Sequence, residues 1–351
     1  MRNCKRDLFI FFVALVFAMW ARKTIAETVH VDSINGNDTN PGTKEKPLRT
    51  IGRAAIMVNG RTEAGPTTIK IAPGIYNLTK SAVFQNARPY TEKDRLVIEA
   101  VILPDEPQWK PALMPVILST EDPRKPGELD KLTESYSLRM PISHVTIRGL
   151  KFLGNPLANN WHCCISRIGE NLDDLVVTQC MFVGDRDTFD IYCAALATGD
   201  GFVVDHNIFY NCHACVVFLD GLEGIPGKGN AMRYCIVDGA YISGAWTCQT
   251  TEDLEFHHNI VTRSEYFWMR KSGDKQKYRL YDCIVTDNRY YSGYGIESGP
   301  TGQTGPEVIY NEENIKKEGR VVLVKDKKAR DYLHVVEGSF GSELGAGLFR
   351  K

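Results

Sequence analysis

The feature that most constrains this chain is a repeat in its second half. Six eight-residue segments align without gaps, at residues 145–152, 175–182, 202–209, 230–237, 254–261 and 278–285. Their third position is always apolar: Ile147, Val177, Val204, Met232, Phe256, Leu280. Their eighth is apolar and bulky: Phe152, Phe182, Phe209, Val237, Val261, Val285. The fourth and fifth positions are mostly polar. The sixth holds Leu150, Cys180, Asn207, Cys235, Asn259 and Cys283, recurring at intervals of 30, 27, 28, 24 and 24 residues. Intervals of this size mark a stacked solenoid. A helical repeat would place apolar residues at i, i+3, i+4 and i+7. These segments instead alternate like short strands and are rich in Val, Ile and Phe. A regular leucine framework is also missing. The repeat therefore predicts an all-β fold, a right-handed parallel β-helix. Each coil is two or three short strands, and each column is a ladder of like residues about 4.8 Å apart.

The sixth column has a physical meaning in such a fold. It sits at a coil corner, where a stacked Asn can hydrogen-bond to the neighbouring corner and Cys is a small apolar filler. Cys180, Cys235 and Cys283 are thus expected in the interior. The CxxC spacing of Cys212 and Cys215 has no second pair nearby and reads as packing rather than a metal site. Residues 1–26 have a basic start (Arg2, Lys5, Arg6), thirteen apolar residues from Leu8 to Trp20, and small residues Thr24 and Ala26 before a cleavage point. They read as a secretory signal peptide, too short for a membrane span. The remainder, 27–351, reads as one elongated domain. It holds 37 basic and 42 acidic residues and nine cysteines, an odd number that leaves at least one unpaired. A mildly acidic exported chain is a poor nucleic-acid binder. The expected location is outside the cell, in the periplasm or on the cell surface.

The start of that domain, from Val29, reads as a strand, an Asn/Gly/Asp/Pro turn cluster, and a short helix over 51–58 with Thr50 as its N-cap. A helix here suits a solenoid, whose open end needs a cover. The run V-D-x-x-N-G-N-D-x-N-P-G-T-K-E-K-P-L-x-T-I, followed by I-x-I-A-P-G-x-Y, resembles the opening of the pectate-lyase-like superfamily over residues 29–77. The coil repeat supports the resemblance over 143–287, the cap occupies 29–60, and residues 300–351 resemble the C-terminal closing segment. Residues 83–142 fit loosely, and 125–139 read as a polar loop. The resemblance implies the fold and export. Its members include lyases, hydrolases, epimerases and non-catalytic proteins, so the chemistry must come from the site.

Proteins of this kind work along a groove on one strand of each coil. Here those strands are expected near 163–167, 191–197, 214–219, 241–247 and 266–270. Trp161, Trp246 and Trp268, with Tyr192 and Arg167, are the substrate-binding candidates, because flat rings cover the apolar faces of sugars. The first reading is a lyase that cleaves a uronate-containing extracellular polysaccharide by β-elimination. It needs a base and positive charge, and Lys271, Arg270 and His213 are the candidates. Asp187, Asp190 and Asp220 are candidate Ca²⁺ ligands. The second reading is a glycoside hydrolase using two of Asp190, Asp220 and Glu265. The third is a non-catalytic polysaccharide-binding protein. His206, His257, His258, Asp205 and Tyr281 fall in outward columns on a different strand and are expected to be solvated.

Overall fold

A computed structural model describes residues 26–350 except 86–87, 129, 220–226, 249–252, 272–277, 297–298 and 305–308. The chain forms a right-handed parallel β-helix of three ladders. The first ladder runs from Glu27–Val31 through Thr67–Ile71, Leu96–Ala100, Val145–Arg148, Leu175–Thr178 and Phe202–Asp205 to Tyr278–Thr286. The second stacks Ile75–Leu78, Val116–Ser119, Lys151–Phe152, Met181–Val183, Ile208–Tyr210, Ile236–Asp238 and Ile260–Thr262. The third, a separate sheet, stacks Thr133–Arg139, Asn160–Arg167, Cys193–Ala197, Ala214–Phe218, Ser243–Thr247, Tyr266–Lys271 and Tyr290–Ile296. All six aligned segments fall in register, each filling one first-ladder and one second-ladder strand.

The columns explain the coil. The third and eighth positions are core, and Phe152, Phe182 and Phe209 stack at 5.0 and 4.9 Å. The fifth position turns the corner between the two ladders. Gln179, His206, Tyr234, His258 and Asp282 all take left-handed backbone there, with φ between 50° and 54°. At the sixth position the Cys180 N–H donates to Asn207 Oδ1 (2.8 Å), and the Asn207 amide donates back to the Val177 carbonyl (2.9 Å). Cys235 and Asn259 repeat the arrangement one step on, at 2.9 and 2.7 Å. Each Asn thus satisfies two backbone groups buried at a bend, which is the use expected for a polar residue in the core.

The cap is as read: helix Ile51–Asn59 with Thr50 extended and its Oγ1 accepting from the Arg53 N–H at 3.1 Å. Ile51, Ala54, Ala55 and Val58 are buried against the first strands. Gly36 in the turn cluster is required, since a Cβ there would lie 2.1 Å from the Leu48 carbonyl oxygen.

Two expectations need correction. Residues 133–139 are not loop but a third-ladder strand. Its alternation is hidden because Ser135 and Ser137 are buried and bind the two ring nitrogens of buried His162, at 2.8 and 3.0 Å. The C-terminal segment covers one side of the solenoid. The outer face of the second ladder carries Met181, Ile208, Ile236, Ile260 and Ile284, all buried under Val321, Leu323, Leu333 and Leu348. The outward histidines are not loose in solvent either. His206 stacks on Tyr234 at 4.7 Å, Tyr234 contacts His258 at 4.7 Å, and His257 stacks on Tyr281 at 4.7 Å. Asp205 is held by His206 Nδ1 at 2.8 Å.

Candidate active site

The third ladder contains every strand on which the groove was expected. Its strands share an unusual phase. In Asn160–Arg167, Cys163 faces out, Cys164 and Ile165 both face the core, and Arg167 is again buried. Cys193 to Ala197, Ala214 to Phe218 and Tyr266 to Arg270 follow the same order of out, in, in, out, in. Two successive inward residues shift the alternation, and this shift decides which candidates reach the surface.

It turns three of them inward. Trp268 is fully buried in the core, against Phe256 and Tyr278, with its indole N–H donating to Thr247 Oγ1 at 3.1 Å. Its ring is not available to a sugar. Arg167 is fully buried, and one guanidinium nitrogen donates to the carbonyls of Thr198 (2.7 Å) and Asp200 (2.9 Å), which braces a turn of the next coil. Burial pulls its pKa down to about 10. Arg270 is 5% exposed in the same column as Arg167 and Phe218. Lys271 is exposed, but it lies two coils and six residues from His213 by register. That is roughly 22 Å at ordinary strand rise and spacing. His213 and Lys271 do not meet at one reacting carbon.

What the fold does bring together is a trench at the leading ends of the central third-ladder strands. Trp161 and Tyr192 stack at 4.9 Å and 13°. The His213 ring sits between Tyr192 (5.6 Å) and Tyr241 (5.5 Å, edge to face). Trp246 packs with Tyr192 over the outward cluster of Cys163, Cys193, Leu196 and Val217. Asp190 closes the trench, its Oδ1 lying 3.3 Å from His213 Nε2. Its backbone is fixed: the Asn155 N–H donates to the Asp190 carbonyl at 3.0 Å, and a Cβ on Gly154 would sit 2.0 Å from that oxygen. The preceding turn is tied by Asp185, whose carboxylate accepts from the N–H groups of Asp187 (3.0 Å) and Thr188 (3.1 Å). Arg186 from that turn lies over the Tyr241 ring at 5.4 Å.

The electrostatics single out this pair. Burial pushes the Asp190 carboxyl up to about 6, only partly offset by Arg186 and the Ile191 N–H. Burial pulls His213 down to about 4, with Arg186 adding to the effect. At neutral pH the pair is a carboxylate facing a neutral imidazole, not an ion pair. Asp190 Oδ1, His213 Nδ1 and Trp246 Nε1 are buried and have no hydrogen-bond partner among the described residues. Unpaired polar atoms in a half-buried aromatic trench, with both pKa values displaced, are the usual mark of a functional site.

The remaining candidates are apart. Glu265 pairs with Arg289 at 2.9 Å and lies three coils from the Asp190 rung. Asp187 is exposed on the turn. Asp220 lies outside the described residues. No three His, Cys, Asp or Glu side chains converge on a metal-sized site among the described residues. Arg186 and Tyr241 were missed as site residues. Arg186 was hidden in a turn that reads as solvated, and Tyr241 at the first position of an expected groove strand.

Comparison with known proteins places the fold and leaves the chemistry open. Residues 34–85 match the model of a protein family of unknown function, DUF1565. No curated protein matches the chain. Among solved structures, the lacto-N-biosidase of family GH136 from Eubacterium ramulus is similar at 9% identity, with a TM-score of 0.52, covering 83% of this chain and 68% of that one. A rhamnogalacturonan lyase covers 76% of this chain and 70% of its own at 13% identity and a TM-score of 0.46. The pectin methylesterase of Aspergillus niger covers 91% and 93% at 14% identity and a TM-score of 0.40. These neighbours are carbohydrate-active parallel β-helix proteins, and the likeness at this level of identity is one of fold.

Proposed function

We propose that this chain is an exported carbohydrate-active enzyme that cleaves a uronate-containing polysaccharide by β-elimination. The observation that carries the reading is the Asp190–His213 pair, 3.3 Å apart, with unpaired buried atoms beside stacked rings. In this reading the aromatic edges of Trp161, Tyr192 and Tyr241 seat the sugar. Neutral His213 takes the proton from C5, and the electron pair forms the C4–C5 double bond as the C4 oxygen leaves. The imidazolium, held by the Asp190 carboxylate, returns the proton to that oxygen. Arg186 offsets the charge of the uronate carboxyl group. Hydrolysis needs two carboxyl groups within about 5–9.5 Å. Glu265, three rungs from Asp190, is roughly 14 Å away at strand spacing, which favours elimination over hydrolysis by that pair.

The test is the purified chain without residues 1–26 against pectic, alginate and glycosaminoglycan polymers. Elimination yields unsaturated ends that absorb in the near ultraviolet. His213→Ala is expected to lower the rate by about 10²–10⁴-fold, the usual worth of a positioned general base. Reducing ends without the absorbance would assign a hydrolase, and binding without products a non-catalytic protein. The reading with His213 as base fails if His213→Ala keeps full elimination activity.

A further inference from the structure

Most described cysteines are interior. Cys164, Cys180, Cys212, Cys215, Cys235 and Cys283 lie in the main core. Two differ. Cys163 and Cys193 face out of the third ladder, 7% and 3% exposed, in the cluster that also holds Leu196 and Val217. They are direct register partners on the adjacent parallel strands Asn160–Arg167 and Cys193–Ala197. Adjacent strands stand about 4.8 Å apart, inside the roughly 4.4–6.8 Å range of Cα separations that a disulfide spans. Both cysteines are free thiols here.

We propose that Cys163 and Cys193 are a paired oxidation site that closes to a disulfide, stapling two adjacent coils at the Trp161–Tyr192 stack. The bond would close a loop containing Arg186 and Asp190, so the turn that delivers Asp190 would be tied at both ends. Closing a loop of this length limits the unfolded chain and stabilises the fold. The step balances with a low-molecular-weight disulfide as oxidant. One cysteine thiolate attacks it and releases a thiol. The second thiolate attacks the mixed disulfide and releases another. The two cysteines lose two electrons and the oxidant becomes two thiols. Burial pushes the Cys193 thiol well above its usual range, so the bond is expected to form during folding more readily than in the finished fold. The inference is independent of the functional reading above.

The experiment is a cysteine map of the full chain, refolded from the reduced denatured state in a glutathione redox buffer, and of folded chain incubated with oxidised glutathione. The expected result is one linked peptide joining Cys163 to Cys193. It should be lost on dithiothreitol treatment, absent in Cys163→Ser, and accompanied by a melting temperature a few degrees above the reduced form. If both thiols remain alkylatable after both treatments, or either pairs with a different cysteine, the proposal is overturned. The wild-type map decides the matter even where Cys163→Ser fails to fold.

Discussion

Two outer faces of the same solenoid are apolar, and they are finished differently. On the second ladder, Met181 and four isoleucines are sealed under the segment carrying Val321, Leu323, Leu333 and Leu348. On the third ladder, Cys163, Leu196 and Val217 are covered by half-buried aromatics, and Trp246 Nε1, His213 Nδ1 and Asp190 Oδ1 beside them go unpaired among the described residues. The first face is a continuous apolar seal, with the Trp109 indole N–H its one buried unpaired polar atom among the described residues. The second leaves Asp190 and His213 partly desolvated, a cost a folded chain retains where chemistry or binding uses it.

The largest effect that would break this contrast is loss of the seal. Removing residues 320–351 would expose the isoleucine row, and the product is expected to be insoluble or molten in expression and circular dichroism tests. Next in size, Ile236→Ala at the centre of the row should cost about 2–4 kcal/mol in denaturant melts, as buried large-to-small changes do. The trench should respond the opposite way. Asp190→Asn should abolish most turnover yet stabilise the fold at neutral pH, by up to about 3 kcal/mol if the whole displacement is recovered. The sign follows from a carboxyl whose folded pKa, about 6, lies above its ordinary value. It favours the fold in acid, and that contribution is lost as pH rises through about 6. A lower melting temperature for Asp190→Asn would make the residue structural and erase the contrast. Turnover should rise with pH through the same value, read from initial rates, as the carboxylate forms. The last effect appears only in acid. Burial lowers His162 to about 3, and His213, His257 and His334 to about 4. Each contributes stability at pH 7 that is lost as pH falls from about 6.5 toward those values. Ser135 and Ser137 bracket His162, so His162→Ala should flatten that acid limb from about pH 6.5 down to about 3, most completely below about pH 4.

Much of the fold was legible because a column repeats its physics at every coil. Thr50 announced the cap, Asn207 and Asn259 announced the corners, and all the groove strands were placed on one ladder. Residues 133–139 were illegible because two serines point inward to a histidine supplied from another coil. Trp268 and Arg270 looked like groove residues because they are an aromatic and a basic residue on an expected groove strand, where plain alternation would put them on the same face as Tyr266. The doubled inward step at Phe267 and Trp268 reverses it, and no local sequence cue marks that step. Asp190 and His213 were both candidates. Their pairing was not readable, because it depends on how far a turn from one coil reaches across to the next.

The sealed row also has a consequence for synthesis. The strands bearing Met181 through Ile284 precede their cover in chain order, so translation completes the row before Val321 to Leu348 leave the ribosome. For that interval a nascent chain presents a ladder of isoleucines on stacked strands with nothing over it. Folding in chain order therefore passes through a sticky species whose lifetime is set by the elongation rate from residue 285 to residue 348.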